Sequence, residues 1–359
     1  MKVYYVNSEL NGCYNVRCLF PLQENGWDGD RTSFALTRPK AERKAKALLD
    51  AEVIVFHRPE KKNKIEAARL LKEQGKKIVF DNDDTYKDTG GFKFTEYMNE
   101  AMLKRGLKTL NENIDTFIKE ADLVTCATEF LKKEYELINP NVIVLPNCID
   151  PFYFPEPKRN EEDVIRIGVT GSVAMTSDLE VLQPIVDHYE HDKRVRLVLL
   201  SIPAKSQNQT YQELYAEEYD WLSKKNIEWH TLVPCDEYYE ALNDLKLDMV
   251  IIPRYNSPFS RCKSNLKFLE NSMLEIPSVC QAFSTGDSPY QQNPNDAKHL
   301  LLADTQEEWI EQIEKLIKDK ELRRKMGKEA REYVEEIYSI ENNAHKWVDA
   351  YQTLYNNDK

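Results

Sequence analysis

Short apolar runs alternate with longer amphipathic stretches along this chain. Runs of four to seven residues rich in Val, Ile and Leu predict buried strands, and helical periodicity predicts helices between them. We predict strands at residues 3–6, 53–57, 77–82, 123–127 and 142–145, and again at 165–169, 196–200, 227–230, 248–252, 278–281 and 300–302. Strands that alternate with helices form parallel sheets covered on both faces. The pattern therefore predicts an α/β protein with two doubly wound parallel sheets.

A proline-rich segment separates the two sets of strands. Residues 146–163, PNCIDPFYFPEPKRNEED, contain four prolines and end in charges, which is typical of a linker between domains. We place one Rossmann-like domain at residues 1–150, a second at 151–335 and a terminal helix at 336–359 of the 359 residues. Ligands of doubly wound sheets bind at the carboxyl ends of the strands, so the site is expected in the cleft between the domains.

Composition narrows the class of protein. The start, MKVYYVNSEL, leads directly into a strand pattern instead of a signal peptide, and no apolar run has the length of a transmembrane segment. The seven cysteines form no C-x-x-C pair. We expect them to be reduced core thiols of a cytoplasmic protein, without disulfides or structural zinc.

Charge is distributed unevenly along the chain. The net charge of -12 argues against a general polyanion-binding protein. Residues 1–150 hold 24 basic and 24 acidic side chains, so the whole acidic excess lies in the second half. Within the first half, residues 38–77 carry 13 basic against 6 acidic side chains. This stretch either meets an anionic acceptor or, as we favour, is a solvated helix face.

The segment after the strand LDMVIIP combines basic side chains with a predicted helix. Residues 253–281 read PRYNSPFSRCKSNLKFLENSMLEIPSVCQ, and Ser264 is the predicted N-cap of a helix at 265–274. A helix start attracts phosphate, and the ammonium groups of Lys263 and Lys267 beside it can neutralise the charge that grows on a departing diphosphate. Glu270, one turn further in, can accept hydrogen bonds from ribose. The alternative is that Lys267 and Glu270 form an ordinary surface pair on an amphipathic helix.

Two strands of the first half end in polar groups. The strand KIVFDNDD carries Asp81, Asp83 and Asp84. Such carboxylates bind acceptor hydroxyls, cap the next helix or bind a divalent ion, and we favour them in that order. The strand EVIVFHRP ends in His57 and Arg58. The histidine either binds the reacting sugar or transfers a proton, or is structural, while the arginine can hold phosphate or acceptor.

The strand IRIGVTGS contains two of the chain's 11 glycines, Gly168 and Gly171, followed by Ser172. Two glycines at one strand end indicate either close approach of the backbone to a ligand or a tight turn. The third glycine of a dinucleotide site is missing.

Taken in order, these segments resemble the retaining GT-B glycosyltransferases of family 4. The likeness covers AEVIVFHRP, ADLVTCATEFLKKEY with VIVLPNCID, RIGVTGS, FSRCKSNLKFLENSMLEIPSV and EEWIEQIEKLIKDKELRRKMGKEAREYV. It implies a GT-B fold, in which two Rossmann-like domains face a central cleft. It also implies that the C-terminal helix, residues 340–355, crosses back to the first domain.

The resemblance implies a role for each candidate residue. Gly171 and Ser172 would lie near the donor phosphates, Lys263 and Lys267 would contact the diphosphate, and Glu270 would bind ribose. We add Arg254 and Arg261 to the donor site, assign Arg58, Asp81, Asp83 and Asp84 to the acceptor site, and group His57 with the two lysines as catalytic. The sequence departs from the family at two positions: Cys262 replaces its first glutamate, and Glu275 replaces a glycine.

The activity so implied is transfer of a sugar from a nucleotide-diphosphate sugar, with UDP-sugar favoured, and with retention at the anomeric carbon. The acceptor would be a glycan or a lipid-linked precursor. No cofactor and no metal are expected, since the lysines and the helix start neutralise the diphosphate; Mg²⁺ or Mn²⁺ on the aspartates is the alternative. Other readings are glycosylation of a modified nucleobase in DNA, a sugar-nucleotide epimerase and an inactive carbohydrate-binding homologue.

Overall fold

A computed structural model describes residues 1–7, 12–30, 38–85, 100–171, 178–201, 216–231 and 233–356. Two six-stranded parallel sheets form its framework. The first sheet has the order β2-β1-β3-β4-β5-β6, and the second has the order β12-β11-β10-β7-β8-β9. Counted from β7, the second order is 3-2-1-4-5-6, which is common among nucleotide-binding sheets. The predicted two-sheet α/β architecture is confirmed.

The strand bounds agree closely with the predicted ones. The first sheet consists of β1 Val3–Asn7, β2 Asp28–Gly29, β3 Val53–His57, β4 Lys77–Asn82, β5 Leu123–Cys126 and β6 Val142–Val144. The second consists of β7 Ile165–Thr170, β8 Val195–Ser201, β9 Ile227–Thr231, β10 Met249–Ile252, β11 Ser278–Gln281 and β12 Leu301–Ala303. Only the two-residue β2 was not predicted, because it is too short to show a periodicity.

Fourteen α-helices lie in the described part of the chain. They are α1 Gly12–Tyr14, α2 Phe20–Glu24, α3 Arg38–Asp50, α4 Lys62–Glu73, α5 Glu100–Glu120, α6 Glu129–Glu136, α7 Leu179–Tyr189, α8 Ala216–Ser223, α9 Tyr238–Asp244, α10 Pro258–Cys262, α11 Leu266–Met273, α12 Gln306–Lys318, α13 Lys320–Tyr338 and α14 Ile340–Asn356. A π-helical segment, Asn15–Leu19, joins α1 to α2, and 3₁₀ turns cover Pro151–Tyr153 and Asp296–Lys298.

Each sheet is buried on both faces, as continuous apolar strands require. On β3, Ile54 and Phe56 join one apolar cluster while Val53 and Val55 join another on the opposite face. Strand β10 divides in the same way between two clusters of the second domain. This alternation follows from the two-residue repeat of a strand, and it leaves the strand ends free to carry polar groups.

The C-terminal helix crosses back to the first domain, as the GT-B resemblance implies. Trp347 and Tyr351 of α14 are fully buried among first-domain residues, and the Tyr351 hydroxyl lies 3.1 Å from that of Tyr5. The linker meets the returning chain at Ile149, which exchanges backbone hydrogen bonds with Tyr338 and Ile340. The chain therefore crosses between the domains twice at one place. None of the described helices is long and apolar enough to span a bilayer.

The helix of the basic segment begins later than predicted, and a short helix precedes it. Pro258 starts α10, capped by Ser257, whose Oγ accepts the Ser260 N–H at 3.2 Å. Lys263 then has an extended backbone, and α11 begins at Leu266 with Asn265 as its N-cap. Asn265 makes no side-chain capping bond, whereas Ser264, the predicted cap, accepts the Leu266 N–H at 3.4 Å through its Oγ. The Ser257-Pro258 pair supplies a stronger start signal than Ser264 does.

The two glycines of the IRIGVTGS strand have different environments. A Cβ on Gly168 would lie 2.3 Å from Leu247 Cδ1, so this glycine is required for packing against Leu247 and not for a ligand. Gly171 follows β7, and its N–H donates to Leu200 O at 3.1 Å. Ser172 lies outside the described residues.

Candidate active site between the two sheets

Hydrogen bonds join the two domains beside the carboxyl ends of their strands. Thr128 Oγ1 donates to the carbonyl oxygen of Cys262 at 3.0 Å, and Asn147 Nδ2 donates to Ser264 Oγ at 2.8 Å. The Lys263 ammonium donates to Asp84 Oδ1 at 2.8 Å. The segment between α10 and α11 is therefore the part of the second domain that contacts the polar strand ends of the first.

Asp84 is shared by two cations from opposite domains. Arg58 Nη2 donates to Asp84 Oδ2 at 2.8 Å, while Lys263 holds the other oxygen. Lys263 also lies over the ring of Phe259, with 4.2 Å between Nζ and the centroid. Arg58 has a φ of 49°, a left-handed conformation that is strained for a side chain of this size. Two cations from opposite domains thus hold one carboxylate.

Lys267 and Glu270 form a pair on the first two turns of α11. Lys267 Nζ donates to Glu270 Oε2 at 2.9 Å and to the Tyr238 hydroxyl at 2.7 Å. The Glu270 side chain is only 5% exposed and that of Lys267 is 22% exposed. Burial lowers the pKa of Lys267, but Glu270 and Tyr238 outweigh it and raise that pKa above the ordinary value. The lysine therefore stays charged at neutral pH.

The other donor-side residues lie around the switch point of the second sheet, where β7 neighbours β10. Arg254 follows β10 and donates to Asp178 Oδ2 at 2.7 Å, and the same carboxylate accepts the Tyr255 N–H at 2.8 Å. Arg261 bonds Asn256 Oδ1 at 2.8 Å. Ligands of such sheets bind at the switch point. Arg254 lies at this place but already has Asp178 as a partner, whereas Arg261 lies on α10 and also pairs with Asp287 at 3.3 Å.

Asp81 occupies a different environment from the one predicted. Its side chain is buried, and its two oxygens accept from Arg17 at 3.1 and 2.5 Å. Thr125 Oγ1 adds a bond of 2.7 Å, and His57 Nδ1 lies 3.0 Å away. Burial raises the pKa of Asp81, but Arg17 and His57 hold it well below its usual range. Asp81 is an internal ion-pair group that contacts His57, and no oxygen remains for an acceptor.

His57 is itself buried at the end of β3. Its Nδ1 faces Asp81, and its Nε2 has no hydrogen-bond partner among the described residues. This nitrogen therefore keeps its capacity for one hydrogen bond.

Asp83 lies beside the thiol of Cys13. With Asp84 these residues form the one group of potential metal ligands that the described residues contain, with ligand atoms within 4.8 Å of one another. Burial raises the pKa of Asp83, but neighbouring positive charge, that of Arg58 foremost, outweighs it, so this pKa is lowered. Burial raises the pKa of Cys13 well above that of a free thiol. Arg58 lies within ion-pair distance of both carboxylates, and Lys263 binds Asp84.

Cys262, at the position of the family's first glutamate, does not take the place of a carboxylate. Its side chain is buried and packs in the apolar cluster of the first domain. Burial raises the pKa of the thiol to about 12, so it is neither an anion nor a nucleophile at neutral pH.

Sequence reasoning did not single out Arg17, Tyr238 or Asp178. For Arg17 a signal existed: a single charge stands in the apolar run YNVRCLF, and a buried charge requires a partner. The partners themselves are 64 and more positions away, so only the fold reveals them.

Comparison with known proteins agrees with this architecture. Residues 187–349 match the profile of the family described as Glycosyl transferase-like. No curated protein matches the chain by sequence.

Several solved structures share the whole fold. HepE of Anabaena in complex with UDP-glucose is 11% identical, with a TM-score of 0.63 over 98% of this chain and 100% of that one. Sucrose-phosphate synthase of Thermosynechococcus elongatus is 14% identical, with a TM-score of 0.61 over 99% of both chains. A glycosyltransferase of Rickettsia africae is 13% identical, with a TM-score of 0.60 over 99% of both chains. The shared fold is GT-B.

Proposed function

We propose that this chain, a glycosyltransferase of the GT-B type, moves a sugar from a UDP-sugar to a glycan or lipid-linked acceptor with retention at the anomeric carbon and without a metal ion. The observation that carries the proposal is the pair of cations, Lys263 and Arg58, that hold one carboxylate between the two domains. A diphosphate would bind the same cations with more charge than a single carboxylate offers.

Lys263 would stabilise the leaving diphosphate as its charge grows, in a cleft that the domain contacts shield from water. Lys267 stays charged beside Glu270 and can supply a second cation near the start of α11. Glu270 would accept ribose hydroxyls once the nucleotide draws Lys267 toward the phosphates. Gly171, Ser172, Arg254 and Arg261 complete the proposed donor side.

UDP is favoured as the nucleotide because the structurally similar HepE was solved with UDP-glucose. The acceptor would enter from the first domain, near Arg58 and the Asp83 and Asp84 carboxylates. His57 would contact the reacting sugar through Nε2. All seven cysteines are free, which supports a cytoplasmic location as part of the same proposal.

The test is NMR of a UDP-sugar panel incubated with the protein in EDTA, with water, simple sugars and lipid-linked glycans as acceptors. We expect release of UDP and a product with the donor's anomeric configuration. Lys263→Met and Lys267→Met should each lower the rate at least tenfold, about 1.4 kcal/mol of transition-state stabilisation. Lys225→Met, which removes a partly buried cation of the same domain paired with Asp187 and Glu190, is the control.

Other outcomes would replace the proposal. Conversion of the donor to an epimer without an acceptor would identify an epimerase, and binding without turnover would identify a carbohydrate-binding homologue. Transfer only to DNA with a modified base would assign the basic stretch at 38–77 to the acceptor. Much of that stretch is already paired, for example Arg69 with Glu120 and Lys72 with Asp122, which makes a large nucleic-acid footprint less favourable.

A further inference from the structure

Arg17 is a charged side chain with no solvent exposure. It lies on the π-helical segment Asn15–Leu19, an uncommon geometry often found next to functional sites. Its neighbours in sequence, Val16 and Cys18, are fully buried in the apolar cluster that also holds β1 and α14. The guanidinium thus costs several kcal/mol of desolvation unless its partners are well placed.

The partners of Arg17 hold it on two sides. Nε and Nη2 bind the two oxygens of Asp81 as a fork, which fixes the plane of the carboxylate. Nη1 donates to the carbonyl oxygen of Leu145 and lies 3.4 Å from Asn147 Oδ1. Asn147 in turn donates to Ser264 in the second domain. Arg17 is therefore fixed both to β4 and to the start of the linker.

The fixed carboxylate determines where His57 carries its proton. Asp81 accepts at His57 Nδ1, so a neutral ring must carry its proton on Nδ1 and leave a lone pair on Nε2. Thr125 and the Arg17 fork occupy the remaining acceptor directions of Asp81. Nε2 is buried and has no partner among the described residues, so it is available as an acceptor for a hydroxyl group.

We propose that Arg17 is a positioning residue: through Asp81 it orients His57 so that Nε2 accepts a hydrogen bond from a hydroxyl of the bound substrate. This inference rests on the proposed function and adds to it the residue that sets the geometry of His57. Were Arg17 only structural, its replacement beside an intact Asp81 would lower stability but leave the His57 proton and turnover unchanged.

The first experiment reads the proton directly and requires no activity. In ¹⁵N-histidine-labelled protein at pH 7.5, His57 is assigned by the loss of its signal in His57→Gln. We expect a proton on Nδ1 and none on Nε2 in the wild type. In Asp81→Asn the amide can donate to Nδ1, so the proton should move to Nε2. A wild-type proton on Nε2 would overturn the proposal.

The second experiment separates positioning from folding. Arg17→Met alone leaves Asp81 buried and unpaired and can fail to fold, so the double variant Arg17→Met with Asp81→Asn is measured beside it. We expect the double variant to keep its affinity for UDP within threefold and to lower kcat at least tenfold. Arg17→Lys leaves Asp81 intact and keeps the charge but not the fork, so it isolates Arg17: it should keep UDP affinity, lower kcat less than the double variant does and shift the wild-type His57 signal. Unchanged kcat and an unchanged His57 signal in Arg17→Lys would contradict the role of Arg17.

Arg323→Met is the matched control. Arg323 is also buried, donates to the carbonyl oxygens of Leu316 and Ile317 and lies 3.7 Å from Asp248, away from the cleft. It should lower stability without changing kcat or the His57 signal. Wild-type kcat in the double variant would contradict the inference. Absence of UDP binding by the wild type would contradict the proposed function instead, and the NMR result would still stand.

Discussion

The two lysines of the proposed donor segment should differ sharply in what they contribute to stability, although we expect both to be needed for turnover. Lys267→Met removes the partner of Glu270, whose side chain is 5% exposed. Loss of one member of a buried pair costs about 3–5 kcal/mol. Since Lys267 is itself 22% exposed, we expect the lower end, about 3 kcal/mol.

Lys263→Met should cost much less. Lys263 and Asp84 are 18% and 16% exposed, and Asp84 keeps Arg58 at 2.8 Å after the change. A partly exposed pair with a remaining partner is worth about 1 kcal/mol or less. For a domain of about 180 residues, 1 kcal/mol corresponds to roughly 2–4 °C in Tm. The expected losses are therefore about 6–12 °C for Lys267→Met and below about 4 °C for Lys263→Met.

Differential scanning fluorimetry and urea unfolding measure these losses, and kcat is measured at 25 °C, where both variants remain folded. The double variant Lys267→Met with Glu270→Gln removes the charge that the single change leaves unpaired. It should recover most of the stability but none of the turnover. Equal losses of stability in the two single variants, or no recovery in the double variant, would refute the reasoning.

Three further predictions test other parts of the structure. Gly327→Ala should lower the free energy of unfolding by about 1–3 kcal/mol, measured in urea, because the new Cβ would lie 2.0 Å from the Glu275 carbonyl oxygen. This clash outweighs the roughly 1 kcal/mol by which alanine is favoured over glycine in a helix. The control, Lys328→Ala at the exposed neighbouring position, should be nearly neutral. Hydrogen bonds from Arg166 lower the pKa of Glu228 to about 2, so the ionised Glu228 stabilises the folded state fully above its unfolded pKa near 4.3, and this contribution is lost as pH falls through the folded pKa. In Glu228→Gln the unfolding free energy should therefore decline less between those pH values, by on the order of 1 kcal/mol. An unchanged slope would contradict the assignment. Cys262→Glu buries a carboxylate in an apolar cluster, so it should lower the free energy of unfolding by about 3 kcal/mol or more without raising turnover. Cys262→Ser should lower that free energy by only about 1–2 kcal/mol. A higher kcat in the glutamate variant would contradict this prediction.

The sequence pattern predicted the strands well because their β-branched runs are bounded by proline, glycine and charge. Strands β3, β4 and β11 have the predicted bounds. The start of α11 lies one residue after the predicted one, and Ser257 and Pro258 begin a separate short helix eight residues earlier. That helix was not predicted, although serine at the N-cap and proline at the first helical position are start signals.

Side-chain roles were harder to predict than elements. Asp81 and Asp83 belong to one short motif and are both buried, but the Arg17 fork that pairs with Asp81 comes from far away in the sequence. Glu275 was identified as a departure from a family glycine, and its φ of 55° shows why glycine suits that position. The Glu275 carboxylate pairs with Arg159 of the linker. Long-range pairs of this kind leave no periodic signal.

The most direct test of the account is the thermal stabilisation of the protein by UDP in EDTA, measured for the wild type, Lys263→Met and the control Lys225→Met. We predict that UDP raises the Tm of the wild type and the control by the amount that its binding free energy supplies, and that Lys263→Met loses most of this shift. Stabilisation only with Mg²⁺ or Mn²⁺ would contradict metal independence and assign Asp83 and Asp84 as ligands. No shift with any nucleotide, or an equal shift in Lys263→Met, would contradict the proposed donor site.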